Sequence, residues 1–173
     1  MQLDNFKKAL EKFRDKVILE SKQNLRKLNK GGGNLENSIK GGDVRITERS
    51  LQFEIEMEDY GFFQDKGVSG KRRKYDTPYS FRNKMPPPRK LDKWIVRKGI
   101  APRDEKGRFI GRKSLQFLIA RSIFYNGIKP SLFFTKPFLK YAKILPKELE
   151  KAYALDTQAF LDFVIKQQLK NYQ

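Results

Sequence analysis

The side chains of this sequence that could do chemistry are its carboxylates, its tyrosines and a dense run of lysine and arginine. It contains no cysteine and no histidine. That excludes disulfides, zinc sites built on those residues, thiol nucleophiles and Ser-His-Asp triads. Asp59 and Asp65 flank an aromatic segment and form the one conceivable carboxylate pair for acid–base work. Neither has an apparent partner, and ordinary surface or capping roles account for both. Glu54, Glu56 and Glu58 alternate along one strand at a spacing able to hold a divalent ion, although a solvated strand face has the same pattern. No phosphate loop occurs, and Gly107-Arg108-Phe109-Ile110-Gly111 follows no strand, so it is not a dinucleotide fingerprint. The expectation is a protein that is not an enzyme, with no catalytic residue, cofactor or metal.

What remains is charge. The chain has 173 residues and a net charge of +18, unevenly spread. Residues 1–65 carry 12 basic and 12 acidic side chains, whereas residues 66–113 carry 17 basic and 4 acidic, a net of +13. So concentrated a block implies a polyanion or an acidic protein surface as partner, where scattered lysines would imply only solubility. Aromatics are interleaved with it, as in Lys74-Tyr75, Phe81-Arg82 and Arg108-Phe109. Phosphate contact with base stacking would use that pattern, and so would aromatics that merely pin loops to a core. The candidate interface or DNA-facing residues are Lys71, Arg72, Arg73, Lys74, Arg82, Lys84, Arg89, Lys90, Arg108 and Arg112.

The elements that would position these groups read as α+β within one domain, 1–173. Leu3, Phe6, Leu10, Phe13 and Val17, then Leu25 and Leu28, form a narrow apolar seam along a helix over 4–29. Gly31-Gly32-Gly33 stops it. Residues 34–39 make a turn or short helix. Val44 and Ile46, then Leu51, Phe53, Ile55 and Met57, alternate with polar residues as two antiparallel strands joined through Glu48-Arg49-Ser50. Residues 66–113 read as a basic, loop-rich insertion. Within it come a hairpin around Tyr79-Ser80-Phe81, a helix from Pro88 to Lys98 buried through Leu91, Trp94 and Ile95, and an exposed loop anchored by Phe109 and Ile110. Ser114 would cap a helix to Asn126, buried on both its Leu118 and Phe117 sides. A short strand at Leu132-Phe133-Phe134, a helical turn from Pro137 and a last helix over 146–173 complete the chain. Asp156-Thr157 is a possible break in that last helix. No segment approaches the roughly 20 apolar residues that cross a bilayer, and the N-terminus lacks the order of a signal peptide. The expected protein is soluble, with no membrane partner.

Three segments, in order, resemble a family of small tailed-bacteriophage neck, head–tail connector or tail-completion proteins. Asn34-Leu35-Glu36-Asn37-Ser38-Ile39 is similar to that family's Gly-x-Leu-x-x-Ser-Ile element. Tyr60-Gly61-Phe62-Phe63-Gln64-Asp65-Lys66-Gly67-Val68 resembles its Tyr-Ala-x-Tyr-Val-Glu-Phe-Gly-Thr segment. Lys136-Pro137-Phe138-Leu139-Lys140-Tyr141-Ala142 resembles its Arg-Pro-Phe-Leu-x-x-Ala. Asp65 stands where the family has Glu and Lys66 where it has an aromatic. Residues 69–135 are longer than its usual link, so the resemblance spans about two-thirds of the chain.

In that frame Tyr60, Gly61, Phe63, Asp65, Gly67, Pro137 and Phe138 set the fold. Gly61 permits a tight turn, Tyr60 and Phe63 pin the segment to the sheet, and Gly67 takes a backbone angle forbidden to side chains. Pro137 fixes a helix entry that Phe138 anchors. The resemblance implies a structural virion protein assembled in the bacterial cytoplasm. Its subunits would form a homo-oligomeric ring at the neck that meets portal, adaptor or tail-tube neighbours and packaged double-stranded DNA. The composition alone supports a second reading, a free nucleic-acid-binding protein that uses 66–113.

Overall fold

A computed structural model describes residues 3–28, 30, 33–47 and 50–170, with side chains to residue 167. The architecture is α+β: a long first helix, a two-stranded antiparallel sheet and a helical C-terminal part. Gly31 and Gly32 of the expected helix stop, Glu48 and Arg49 of the expected hairpin turn and residues 171–173 of the expected last helix lie outside the described residues. The chain forms two compact units, residues 1–61 with 132–173, and residues 62–131. The expected basic insertion, 66–113, falls wholly in the second.

In the first unit, helix α1 (Asp4–Lys27) buries Leu10, Phe13, Val17, Ser21 and Leu25, a stripe at helical spacing. The seam ends there; Leu28 is exposed. A short α2 (Asn34–Ser38) leads into β1 (Lys40–Ile46) and β2 (Leu51–Glu56). Between Gly41 and Val44 the register slips by one residue, a bulge. The bulge frees the Gly42 carbonyl, which accepts a hydrogen bond from the Arg14 guanidinium. A Cβ on Gly41 would strike that same side chain at 2.5 Å. Leu25, Leu35, Ile39 and Phe133 form a core cluster against Ile55 and Met57. Phe13 meets Phe53 and Phe138 edge-on at 5.4 and 5.8 Å.

Helix α6 (Thr135–Ala142) carries the third motif, with Pro137 buried in its first turn and Phe138 packed on Phe13, as expected. Leu132-Phe133-Phe134 is a turn, not the expected strand: Leu132 sits at φ 52°, outside strand geometry.

Helix α7 (Leu145–Lys170) runs antiparallel to α1, since Glu148 pairs with Lys16 at 3.1 Å while Asp156 lies at Asn5 and Phe6. It does not break at Asp156. That residue is buried, and its carboxylate accepts from the N–H groups of Asn5 and Phe6 at 3.0 and 2.9 Å and from the Asn5 amide at 2.8 Å. Leu3, the residue preceding α1, offers no side-chain cap, so Asp156 satisfies the first-turn donors from a different helix. Burial works to raise the Asp156 carboxyl's pKa. The donations from Asn5 and Phe6 outweigh it and hold the group below the usual carboxylate range.

The chain passes into the second unit within α3 (Tyr60–Lys66). Gly61 is a helical residue, not the expected tight turn, and a Cβ there would press on the side-chain ends of Met57 and Leu35, at 2.7 and 2.9 Å. Tyr60 is exposed. Phe63 meets Tyr79 edge-on at 4.7 Å, instead of the sheet. Gly67 does take the left-handed angle, φ +76°.

Beyond it, Ser69 bridges Ser80 in parallel, its backbone bonding to both Tyr79 and Phe81; no hairpin forms at 79–81. A 3₁₀ turn (Pro88–Leu91) continues into α4 (Asp92–Arg97), where Ile95 is buried but Trp94 is not. Helix α5 (Arg112–Asn126) begins two residues before Ser114. It buries Leu115, Gln116 and Ala120, with Leu118 exposed and Phe117 49% exposed, so it is covered on one side only. No helix of the described residues is long and apolar enough to cross a membrane.

Candidate nucleic-acid interface

The second unit carries 19 basic and 5 acidic side chains, a net of +14, against +4 for the first. All nineteen basic residues are exposed. The acidic ones are largely withdrawn. Asp65 is buried. Asp92 accepts from the Gln116 amide at 2.7 Å and faces Arg112 at 3.8 Å. Asp104 holds Arg108 at 3.0 Å and accepts from the N–H groups of Lys106 and Arg108, which closes a tight turn around Gly107. Asp76 and Glu105 are exposed without such partners, whereas Asp92 and Asp104 are partly exposed but engaged by arginine. The unit therefore shows solvent an almost unopposed positive surface.

The ten basic residues expected at this interface fall into three groups. Lys71, Arg72, Arg73 and Lys74 lie at the C-terminal end of α5. The backbone N–H groups of Lys71 and Arg72 donate to the carbonyls of Phe124 and Tyr125 at 3.0 and 2.9 Å, and that of Arg73 to Tyr125 at 3.3 Å. These are carbonyls the helix end would otherwise leave unpaired, and cations there also complement the helix dipole. This part of the expected loop-rich insertion is thus a helix cap.

Two glycines make that approach possible. A Cβ at Gly70 would lie 2.2 Å from the Tyr125 carbonyl oxygen. One at Gly127, which is at φ +73°, would lie 2.2 Å from that of Val68. Val68 and Ile128 exchange both backbone hydrogen bonds beside them, at 2.9 and 2.8 Å.

The second group lies near the other end of α5. Arg89 and Arg112 line a cleft of about 880 Å³ with Lys113, Pro88, Gln116 and Phe117; Lys90 adjoins it in the 3₁₀ turn. At 15 residues, α5 holds these groups about 22 Å apart. Arg82 and Lys84, between them in sequence, and Arg108, in the Gly107 turn, make up the remainder. Arg108 and Arg112 have carboxylate partners; the other eight have none among the described residues.

The interleaved aromatics divide by role. Phe81 packs on Phe124, and Phe63 on Tyr79, as loop anchors. Tyr125, Tyr75 and Phe109 instead carry guanidinium groups on their rings: Arg72 at 4.8 Å and Arg121 at 5.9 Å on Tyr125, Arg73 at 5.6 Å on Tyr75, and Arg103 at 4.1 Å on Phe109. Phe109 is 65% exposed, so it is no anchor. Sequence reasoning missed Arg121, which lies outside the charge block; its spacing of four residues from Tyr125 on one helix was the available signal.

The other chemical candidates do not converge. Asp65 is buried while Asp59 is exposed. Glu54, Glu56 and Glu58 are exposed, and among the described residues no group of three or more acidic side chains could hold a metal ion. No family model, curated protein or solved structure matches the chain.

Proposed function

We propose that this protein is a structural assembly subunit that works by forming a closed ring. More particularly, we read it as a neck or tail-completion component of a tailed bacteriophage virion, joining head to tail around the DNA channel. One observation carries the self-association. Beyond Thr157, α7 runs past the start of α1, and residues 158–167 are all exposed. This overhang, about 15 Å long, bears Phe160, Leu161, Phe163, Val164 and Ile165 in six positions. Phe160 is 42% exposed and Phe163 57%. Apart from the side that carries Asp162 and Lys166 the overhang is apolar, and so broad an exposed face is buried in its working state, each such side chain gaining about 1.5–3 kcal/mol on burial. A neighbouring subunit supplies the cover, in the heterologous manner that generates rings. The virion assignment rests on the resemblance of the three motifs, of which the helix at Pro137 and Phe138 and the backbone angle at Gly67 have the expected geometry.

Light scattering on the purified protein tests it, alone and mixed with portal or tail-tube protein. A ring mass is expected, and Phe160→Ser with Phe163→Ser should return it to a monomer. A wild-type chain that stays monomeric under both conditions would sink the reading. The unopposed charge of the second unit favours the second reading, a free nucleic-acid-binding protein; a monomer that binds DNA with a steep salt dependence would select it.

A further inference from the structure

We propose that the surface cleft flanked by Arg72 and Arg121 is a binding site for the phosphodiester backbone of double-stranded DNA. This goes beyond the ring and does not depend on it; it rests only on the second unit facing nucleic acid. The cleft, about 240 Å³, is lined by Arg72, Leu118, Arg121, Ser122, Tyr125 and Asn126, with no carboxylate among them.

Both guanidinium groups lie over one ring, that of Tyr125, at 4.8 and 5.9 Å. Both side chains also spring from fixed backbone. Arg121 is within α5, and the Arg72 N–H is held by the Tyr125 carbonyl at 2.9 Å. Two planar forks therefore meet at one ring before any ligand arrives, which lowers the entropy lost on binding. Neither has a carboxylate partner among the described residues, so their donors are available. Asn126 donates to the Ser122 hydroxyl oxygen at 3.2 Å, which leaves the hydroxyl hydrogen free to donate into the cleft.

The ligand class follows from shape and charge. Every lining residue except Tyr125 is exposed, so the cleft cannot enclose a small molecule. An extended polyanion gains affinity from many shallow contacts, and Lys71, Arg73 and Lys74, exposed next to Arg72 in the chain, continue the positive surface. Forked donors to successive phosphates suit a phosphodiester chain, because a guanidinium binds each phosphate in bidentate fashion. Leu118 gives the cleft an apolar wall for the sugar face.

Fluorescence anisotropy with a short labelled DNA duplex, over a series of salt concentrations, tests the site. Arg72→Gln with Arg121→Gln should weaken binding about tenfold or more and flatten the salt slope by about 1.8, two phosphate contacts' worth. Lys66→Gln with Lys129→Gln removes the same charge from the same unit and should cost much less. Arg72→Lys with Arg121→Lys, which keeps the charge without the forks, should lose affinity while keeping the wild-type salt slope and circular dichroism. Equal losses from the two glutamine pairs would overturn the site, as would full affinity in the lysine pair. So would a heparin fragment that binds with the same dependence on Arg72 and Arg121. No DNA binding by the wild-type chain would overturn it too, while a ring mass measured on that sample would stand.

Discussion

The two units of this molecule are stabilised by different means. The first draws on regular elements: α1 lays one apolar stripe against the sheet, α6 and α7, and Phe13, Leu25, Ile39 and Phe133 are fully buried. Its charges are nearly balanced and its ion pairs tie helix to helix, as in Lys16–Glu148 and Glu20–Lys140. The second has a small core, with Val68, Ile95, Leu115 and Ala120 as its buried apolar residues among those described. Backbone hydrogen bonds from a loop to a helix end, made at glycines that admit no Cβ, do much of the work there. The difference teaches how a chain can raise a surface of net +14. Backbone polarity is insensitive to which side chains face solvent, so the surface is released to carry charge.

Unfolding experiments can break or sharpen that contrast. Trp94 is the sole tryptophan and lies in the second unit, so its fluorescence reports there, while amide exchange along α1 reports on the first. Phe13→Ala should cost about 3–5 kcal/mol, read from urea unfolding by exchange in α1, through a cavity between Phe53 and Phe138. Gly70→Ala should cost about 2–4 kcal/mol, seen first in Trp94 fluorescence, because the added methyl meets a backbone oxygen with nowhere to go. If it proves neutral, the backbone account of the second unit fails.

Asp156→Asn should cost about 1–2 kcal/mol at neutral pH through the weakened cap on α1. Because the folded carboxyl titrates below its unfolded value of about 3.9, the Asp156 contribution is complete above that value. It is lost as the pH falls through the folded value. The gap between wild type and variant should therefore close in acid; a gap that persists at about pH 2 would dismiss the ionised cap. Smallest, Glu148→Gln should cost less than about 1 kcal/mol in urea unfolding, since both partners are about one-third exposed and water already screens the pair.

Much of the first unit was legible because its physics is periodic. Spacings of three and four predict α1, alternation predicts the strands, and both appear within a few residues of the expected bounds. Where one face or one contact decides, the reading went astray. Trp94, Phe109, Phe117 and Leu118 are apolar and fell on plausible core faces, yet the second unit is too thin to cover them. Asp156-Thr157 has the residue types of a helix break, but the cap it makes serves α1, more than a hundred residues away. Gly70 signals only a break in regular structure, because nothing local in a Ser-Gly-Lys tract announces that a helix carbonyl will arrive at 2.2 Å. Of the candidate site, the charge block was legible from composition alone. Its organisation around Tyr125 was not, since it joins residues 72 and 121 through a tertiary contact.

That remote cap also sets an order of events during synthesis. While the chain emerges from a ribosome, the first-turn donors of α1 must wait for residue 156, about 150 positions later. The pairings that join Val68 to Ile128 and Arg72 to Tyr125 close loops well under half that length. The basic unit can thus close on itself while the opening helix is still without its final partner, and maturation of the first unit is a late, post-emergence step governed by long-range loop closure.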